Sequence, residues 1–151
     1  MQIKKVLCNI KRKLNVKFML DSGFAIEITT RYAETDQMGY IHHGVYPQYL
    51  EQARIEWMKL FGISYKSLEI NGILLPVRNM HIRYIIPLTF DEKITVRIIR
   101  GNLKGPRLIF EYEIYNEAGK KSTEAEVELF FADADGRPIR PPQDLVAKLQ
   151  R

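Results

Sequence analysis

A single cysteine, Cys8, is all that this 151-residue chain contains, so no disulfide can form within it. A nucleophilic cysteine needs a base and a defined pocket, and the residues around Cys8 offer neither. Nowhere does the chain approach the run of about 18 apolar residues that a membrane helix requires. The first twenty residues contain no acid, and their lysines and arginine break up every apolar run, so no signal-peptide core emerges. Soft ligands are scarce as well. His42, His43 and His81 have no Cys or acid cluster at metal-ligand spacing beside them, which argues against a zinc site. These absences point to a soluble cytoplasmic protein with no metal and no membrane span.

The net charge of +5 is concentrated at one end. Residues 1 to 20 hold six of the 23 Lys and Arg, and the rest of the chain balances 17 basic residues against 18 acids. The body is therefore not a basic nucleic-acid-binding surface. The arm reads as a solvated extension, or as sequence upstream of a natural start at Met19; binding to nucleic acid or an anionic membrane is the rival reading. The expected organisation is a basic extension over 1–20, one compact domain over 21–142 and a short tail over 143–151.

Phe24, Ile26 and Ile28 alternate with Ala25, Glu27 and Thr29, the period of a half-buried strand over Phe24 to Arg31. From Tyr46 the apolar residues fall at Tyr49, Leu50, Ala53, Trp57, Leu60 and Phe61, a spacing that lines one helical face. Pro47 is tolerated in the first turn, and Gly62 stops the helix. Glu51 and Arg54 lie off this stripe and read as a helix-surface pair. A turn or short helix follows over Ser64 to Glu69. Strand-like stretches then run over Ile73 to Ile86, Lys93 to Arg100, Leu108 to Tyr115 and Ser122 to Ala132, separated by Gly, Asn, Asp and Pro. One long helix with about five strands, four of them consecutive, gives an α+β domain with a mainly antiparallel sheet.

Between the first strand and the helix lies the most informative stretch, Tyr32-Ala33-Glu34-Thr35-Asp36-Gln37-Met38-Gly39-Tyr40-Ile41-His42-His43-Gly44-Val45-Tyr46, which leads into Glu51-Gln52-Ala53-Arg54. It places an acid just ahead of a helix start. The first N–H groups of a helix lack intrahelical acceptors and carry partial positive charge, so they stabilise an oxygen that gains negative charge. The N–H groups of His43, Gly44 and Val45 are the candidates, with Gly44 permitting close approach. Asp36 can attack a carbonyl carbon or activate water, or it can simply brace its loop.

This segment resembles the active-site motif of the 4-hydroxybenzoyl-CoA thioesterase-like acyl-CoA thioesterases, which have the hotdog fold. The likeness extends from about Phe24 to Pro141 and includes Asn71-Gly72-Ile73-Leu74-Leu75-Pro76-Val77-Arg78 and Phe131-Ala132-Asp133-Ala134-Asp135-Gly136-Arg137-Pro138. It implies a curved antiparallel sheet wrapped around one long central helix, with Asp36 on the catalytic aspartate. By the same resemblance His43 belongs to a His-bearing branch and orients water, substrate or the aspartate, or makes a structural hydrogen bond. Glu51 is a further catalytic candidate, as an aid to water. His42 stands where relatives commonly show Asn or Tyr.

The resemblance also implies a homodimer or homotetramer with active sites at the subunit interface. The implied substrate is an acyl-CoA, or an acyl carrier protein thioester. No cofactor is implied, coenzyme A being part of the substrate. Tyr40 and Tyr46, along with Met38 and Trp57, are candidates for lining an acyl pocket, and Arg83, Lys104 and Arg107 for meeting the phosphates of coenzyme A. Two rival functions are a dehydratase acting on hydroxyacyl thioesters, which would use His43 and Asp36 for proton transfer, and a non-catalytic acyl-thioester sensor.

Overall fold

The computed structural model describes residues 15–149; Cys8 and the greater part of the basic arm lie outside them. Its elements in chain order are β1 (Asn15–Thr29), two 3-10 turns (Tyr32–Glu34 and His43–Val45), α1 (Tyr46–Lys59), α2 (Tyr65–Ile70), β2 (Val77–Tyr84), β3 (Lys93–Lys104), β4 (Arg107–Tyr115), β5 (Lys121–Phe130) and α3 (Gln143–Leu149). The strands form one antiparallel sheet in the order β1-β3-β4-β5-β2. Helix α1 packs on β1 and β3. This is the curved sheet around a long helix that the motif implied.

Alternation builds the core. Leu108, Phe110, Tyr112 and Ile114 of β4 point inward, as do Ala125, Val127 and Leu129 of β5. In β3 the inward residues are Ile94, Val96 and Ile98, then Gly101 and Leu103, so the phase changes once. The pairing shows why: Ile98 faces Tyr112 and Arg100 faces Glu111, leaving Ile99 as an extra residue. Such a bulge bends its strand and moves later side chains to the other face. It lets the sheet curve while Leu103 still reaches the core.

Helix α1 buries Tyr46, Tyr49, Leu50, Ala53, Trp57 and Met58 against this sheet. Leu60, expected on the same face, is exposed because the helix ends at Lys59 and the chain turns at Gly62, whose φ of +67° favours glycine. Arg54 corrects the surface-pair expectation: it is 3% exposed. Its Nε donates to the Tyr65 hydroxyl at 2.7 Å and its guanidinium to the Tyr112 hydroxyl at 3.3 Å. These contacts tie α1 to α2 and β4.

Other boundaries moved for similar reasons. β1 begins at Asn15, inside the stretch read as arm, because its early residues find backbone partners on β3 from Lys104 to Arg100. The expected separator at Gly101 to Pro106 shrinks to Gly105-Pro106, a two-residue turn with Gly105 at φ +57°. The stretch read as a tail carries α3, whose Leu145 and Leu149 are buried.

Candidate active site

Residues 35 to 41 form a tight hairpin. Thr35 bridges Ile41, the Asp36 N–H donates to the Tyr40 carbonyl at 2.8 Å, and Gly39 turns the chain at φ +80°. One carboxylate oxygen of Asp36, Oδ1, accepts the N–H of Met38 at 2.9 Å and that of Tyr40 at 3.3 Å. This is the side-chain-to-backbone turn that Asp favours. It orients the carboxylate, and the other oxygen meets no partner among the described residues.

Two anchors hold the base of the hairpin. The Ile41 N–H donates to the Leu88 carbonyl at 2.8 Å, and the His42 N–H to the Glu34 carbonyl at 2.8 Å. Glu34 itself is buried. Its carboxylate accepts the Tyr49 hydroxyl at 2.6 Å, the Arg31 N–H at 2.8 Å and the Arg31 Nε at 2.9 Å. Burial pushes this carboxyl up, but the Tyr49 and Arg31 hydrogen bonds and the Arg31 charge outweigh it and leave the group below its ordinary value. Burial and the Glu34 carboxylate together push the Tyr49 hydroxyl far up. The loop bearing Asp36 is thereby fastened to α1 by a charged hydrogen bond that sequence reading did not single out. Its only sequence signal was an acid two residues before the Asp.

At the helix start the three expected donors are not equivalent. The Gly44 N–H donates to the His42 Nδ1 at 3.0 Å, and the Val45 N–H to the His42 carbonyl at 2.9 Å. The His43 N–H meets no acceptor among the described residues. The expectation of three available donors therefore narrows to one, because the His42 side chain and carbonyl cap the other two.

Asp36, Tyr40, His43 and Tyr46 come together in a cleft of about 240 Å³, with Met38, Ile41, Tyr84, Ile85 and Pro87 completing its walls. Tyr84 was not foreseen. Its hydroxyl donates to the His43 carbonyl at 2.9 Å and its ring meets Tyr46 edge-on, with centroids 4.9 Å apart. Trp57 is in the core instead, where it meets Phe61 at a tilt and Phe110 edge-on. Glu51 is exposed on α1 and does not line the cleft.

The three candidate phosphate ligands are also elsewhere. Arg83 pairs with Glu124 at 3.7 Å on the outer sheet face, beside His81. Arg107 faces Glu128 at 3.7 Å, as Arg78 does at 3.9 Å, and both arginines line a separate recess of about 290 Å³. Lys104 ends β3 at the same turn. Arg78 and Tyr84 stand about 20 Å apart along β2, at roughly 3.3 Å per residue, and the recess shares no lining residue with the cleft. The rings of His42 and His43 stack at 4.2 Å, and no three or more metal-ligating side chains cluster among the described residues. None of the described helices is long and apolar enough to cross a membrane.

Comparison with known proteins gives this geometry a family. A model of the thioesterase-like superfamily matches residues 30–149. YneP of Bacillus subtilis (strain 168) is 36% identical over 115 residues, which cover 76% of this chain and 83% of YneP. Acyl-CoA thioester hydrolase YbgC of Escherichia coli O157:H7 is 26% identical over 129 residues, 85% of this chain and 96% of YbgC. Among solved structures, the DHNA-CoA thioesterase from Staphylococcus aureus superposes with a TM-score of 0.80 at 34% identity, covering 83% of this chain and 87% of that one. The chain thus belongs to the thioesterase-like superfamily, as a hotdog-fold enzyme of the thioester-hydrolase class.

Proposed function

We propose that this protein hydrolyses acyl-CoA thioesters to a free acid and coenzyme A in the cleft that holds Asp36. The observation that carries the reading is the pairing of an oriented carboxylate with an unoccupied N–H in one cleft. Asp36 is held through Oδ1 alone, and the His43 N–H is left for an oxygen acceptor. The thioester carbonyl oxygen receives the His43 N–H, which stabilises the negative charge it gains as the carbon is attacked. Two routes use the same atoms. As a general base, Asp36 takes a proton from water, the hydroxide adds to the carbonyl carbon, the C–S bond breaks, and the proton passes to the departing thiolate. As a nucleophile, Asp36 adds directly, expels the thiolate and forms a mixed anhydride that water then opens.

The acyl group lies along Met38, Tyr40, Tyr46 and Tyr84. A second copy of the chain on the exposed β2 edge walls the cleft and brings its own phosphate-binding groups, Arg83, Lys104 or Arg107, within reach of coenzyme A. Glu51 takes part only across that interface. Support comes from β2 being an edge strand and from the cleft being lined by its last residue, Tyr84. A cytoplasmic setting belongs to the same proposal.

The test is thiol release from short, long and aromatic acyl-CoAs and from the matching carrier-protein thioesters, by wild type and Asp36→Asn. Hydrolysis by a folded wild type that the substitution abolishes supports the reading; equal rates sink it. An unsaturated product without thiol release would identify a dehydratase. Ligand binding with no turnover would identify a sensor.

A further inference from the structure

The two peptide units that meet at His43 are held differently. In the first, the His42 carbonyl accepts the Val45 N–H at 2.9 Å, while the His43 N–H on its other side is unused. In the second, both polar ends are gripped by side chains. The Tyr84 hydroxyl donates to the His43 carbonyl at 2.9 Å, and the His42 Nδ1 accepts the Gly44 N–H at 3.0 Å. The imidazole accepts through Nδ1, so its hydrogen belongs on Nε2.

Gly44 shows that this grip needs space. A Cβ there would lie 3.1 Å from the His42 Nδ1 and 3.3 Å from its Cε1, closer than ordinary contact. The missing side chain at 44 is therefore what seats the ring at 42. The same grip occurs elsewhere in the fold: Asp36 accepts from Met38 and Asp133 from Asp135, each two residues along. An oxygen on a shorter side chain can thus do what the imidazole does at position 42.

We propose that His42 and Tyr84 are positioning residues that clamp the His43–Gly44 peptide and so keep the neighbouring His43 N–H aimed at the thioester oxygen. The inference rests on the hydrolase reading above. It assigns His42 a role through Gly44. Tyr84 acquires a role in coupling the edge strand β2 to the helix start. Turning this peptide changes ψ of His43 and φ of Gly44 and so displaces the Val45 N–H that holds the His42 carbonyl at 2.9 Å; the peptide carrying the His43 N–H loses that anchor, which weakens transition-state stabilisation more than substrate binding.

Four variants test this on the full chain: His42→Ala, His42→Asn, Tyr84→Phe, and His42→Ala with Tyr84→Phe. Tyr84→Phe removes only the hydroxyl and keeps the edge-on ring contact with Tyr46. We expect kcat for thiol release to fall about tenfold in His42→Ala and in Tyr84→Phe with KM within about twofold, a fraction of what losing an oxyanion donor outright does. Both act on one peptide, so the double variant should lose less than the product of the two. His42→Asn should restore kcat to within about threefold of wild type, because its carbonyl can accept the Gly44 N–H. Amide exchange of ¹⁵N-labelled protein should show the Gly44 N–H protected in wild type and His42→Asn and fast in His42→Ala. Unchanged kcat in both single variants of an active enzyme overturns the clamp alone. So does an Asn variant that protects Gly44 without recovering kcat, or an effect confined to KM. A wild type that releases no thiol overturns the hydrolase reading and the clamp with it.

Discussion

Asp36, in the loop ahead of α1, and Arg54, within α1, are held in opposite ways. The Asp36 carboxylate is half-exposed and takes its hydrogen bonds from residues two and four positions along its own loop. Arg54 is 3% exposed, and its guanidinium takes its partners from α2 and from β4, 11 and 58 residues away. No carboxylate answers its charge in those contacts; two tyrosine hydroxyls do, and burial raises both, with Tyr112 pushed up to about 12. A group held by its own loop can be altered without disturbing the core. A group satisfied only by the assembled fold cannot. The first pattern suits chemistry and the second suits stability.

The largest expected effect would break this contrast if it failed. Asp36→Asn keeps an oxygen that can accept from Met38 and Tyr40, so the thermal midpoint should hold within a few degrees while thiol release falls about 10²- to 10⁴-fold. A rate loss that merely tracks a fall in melting temperature would mean that Asp36 is a loop brace.

Arg54→Ala should do the reverse. It leaves two tyrosine hydroxyls without their donor, at about 1–3 kcal/mol for each unsatisfied group, and urea unfolding reads the loss directly. The folded fraction should keep kcat within about twofold. A folded Arg54→Ala protein with full stability and no activity would reverse the assignment.

Glu34 sharpens the comparison because it is buried like Arg54 and fastens the loop of Asp36. Its carboxyl lies below its ordinary value of 4.5 in the folded protein, so its stabilising contribution is complete above that pH. As pH falls from 4.5 through the lower folded value, that contribution is lost. Thermal melts between pH 6 and 3 should therefore show a steeper acid decline in wild type than in Glu34→Gln, with the two slopes alike above about pH 6. Equal slopes throughout would deny Glu34 that role.

The smallest effect belongs to the surface. Arg107→Ala removes one of two arginines that pair with Glu128 at the surface, a contact at 3.7 Å worth about 0–1 kcal/mol, and should leave melting unchanged. In the proposed dimer it should raise KM for acyl-CoA several-fold and leave kcat alone. An unchanged KM would remove Arg107 from the coenzyme A site.

Much of the molecule was legible before any coordinates. Periodicity placed α1 and the four later strands to within a few residues, and Gly62 stopped the helix where a positive φ was needed. The motif around Asp36 brought Asp36, Tyr40, His43 and Tyr46 into one cleft because those residues are close in the chain. Readings that depended on distance fared differently. Arg54 read as a surface residue because charge off an apolar stripe usually faces water; the Tyr65 and Tyr112 hydroxyls that receive it lie on other elements. Tyr84 was just another strand residue until β2 reached the helix start 41 residues away.

By itself, the order of residues determined what nearest neighbours decide: the strand and helix periods, the hairpin that braces Asp36 through its own backbone, and the family to which the chain belongs. Tertiary structure alone decided which donors at the helix start remain unused, which charge is buried, and which strand edge borders the cleft. Those outcomes depend on side chains that meet only after the sheet has closed around α1, and a hydrogen bond spanning tens of residues leaves no period in the sequence.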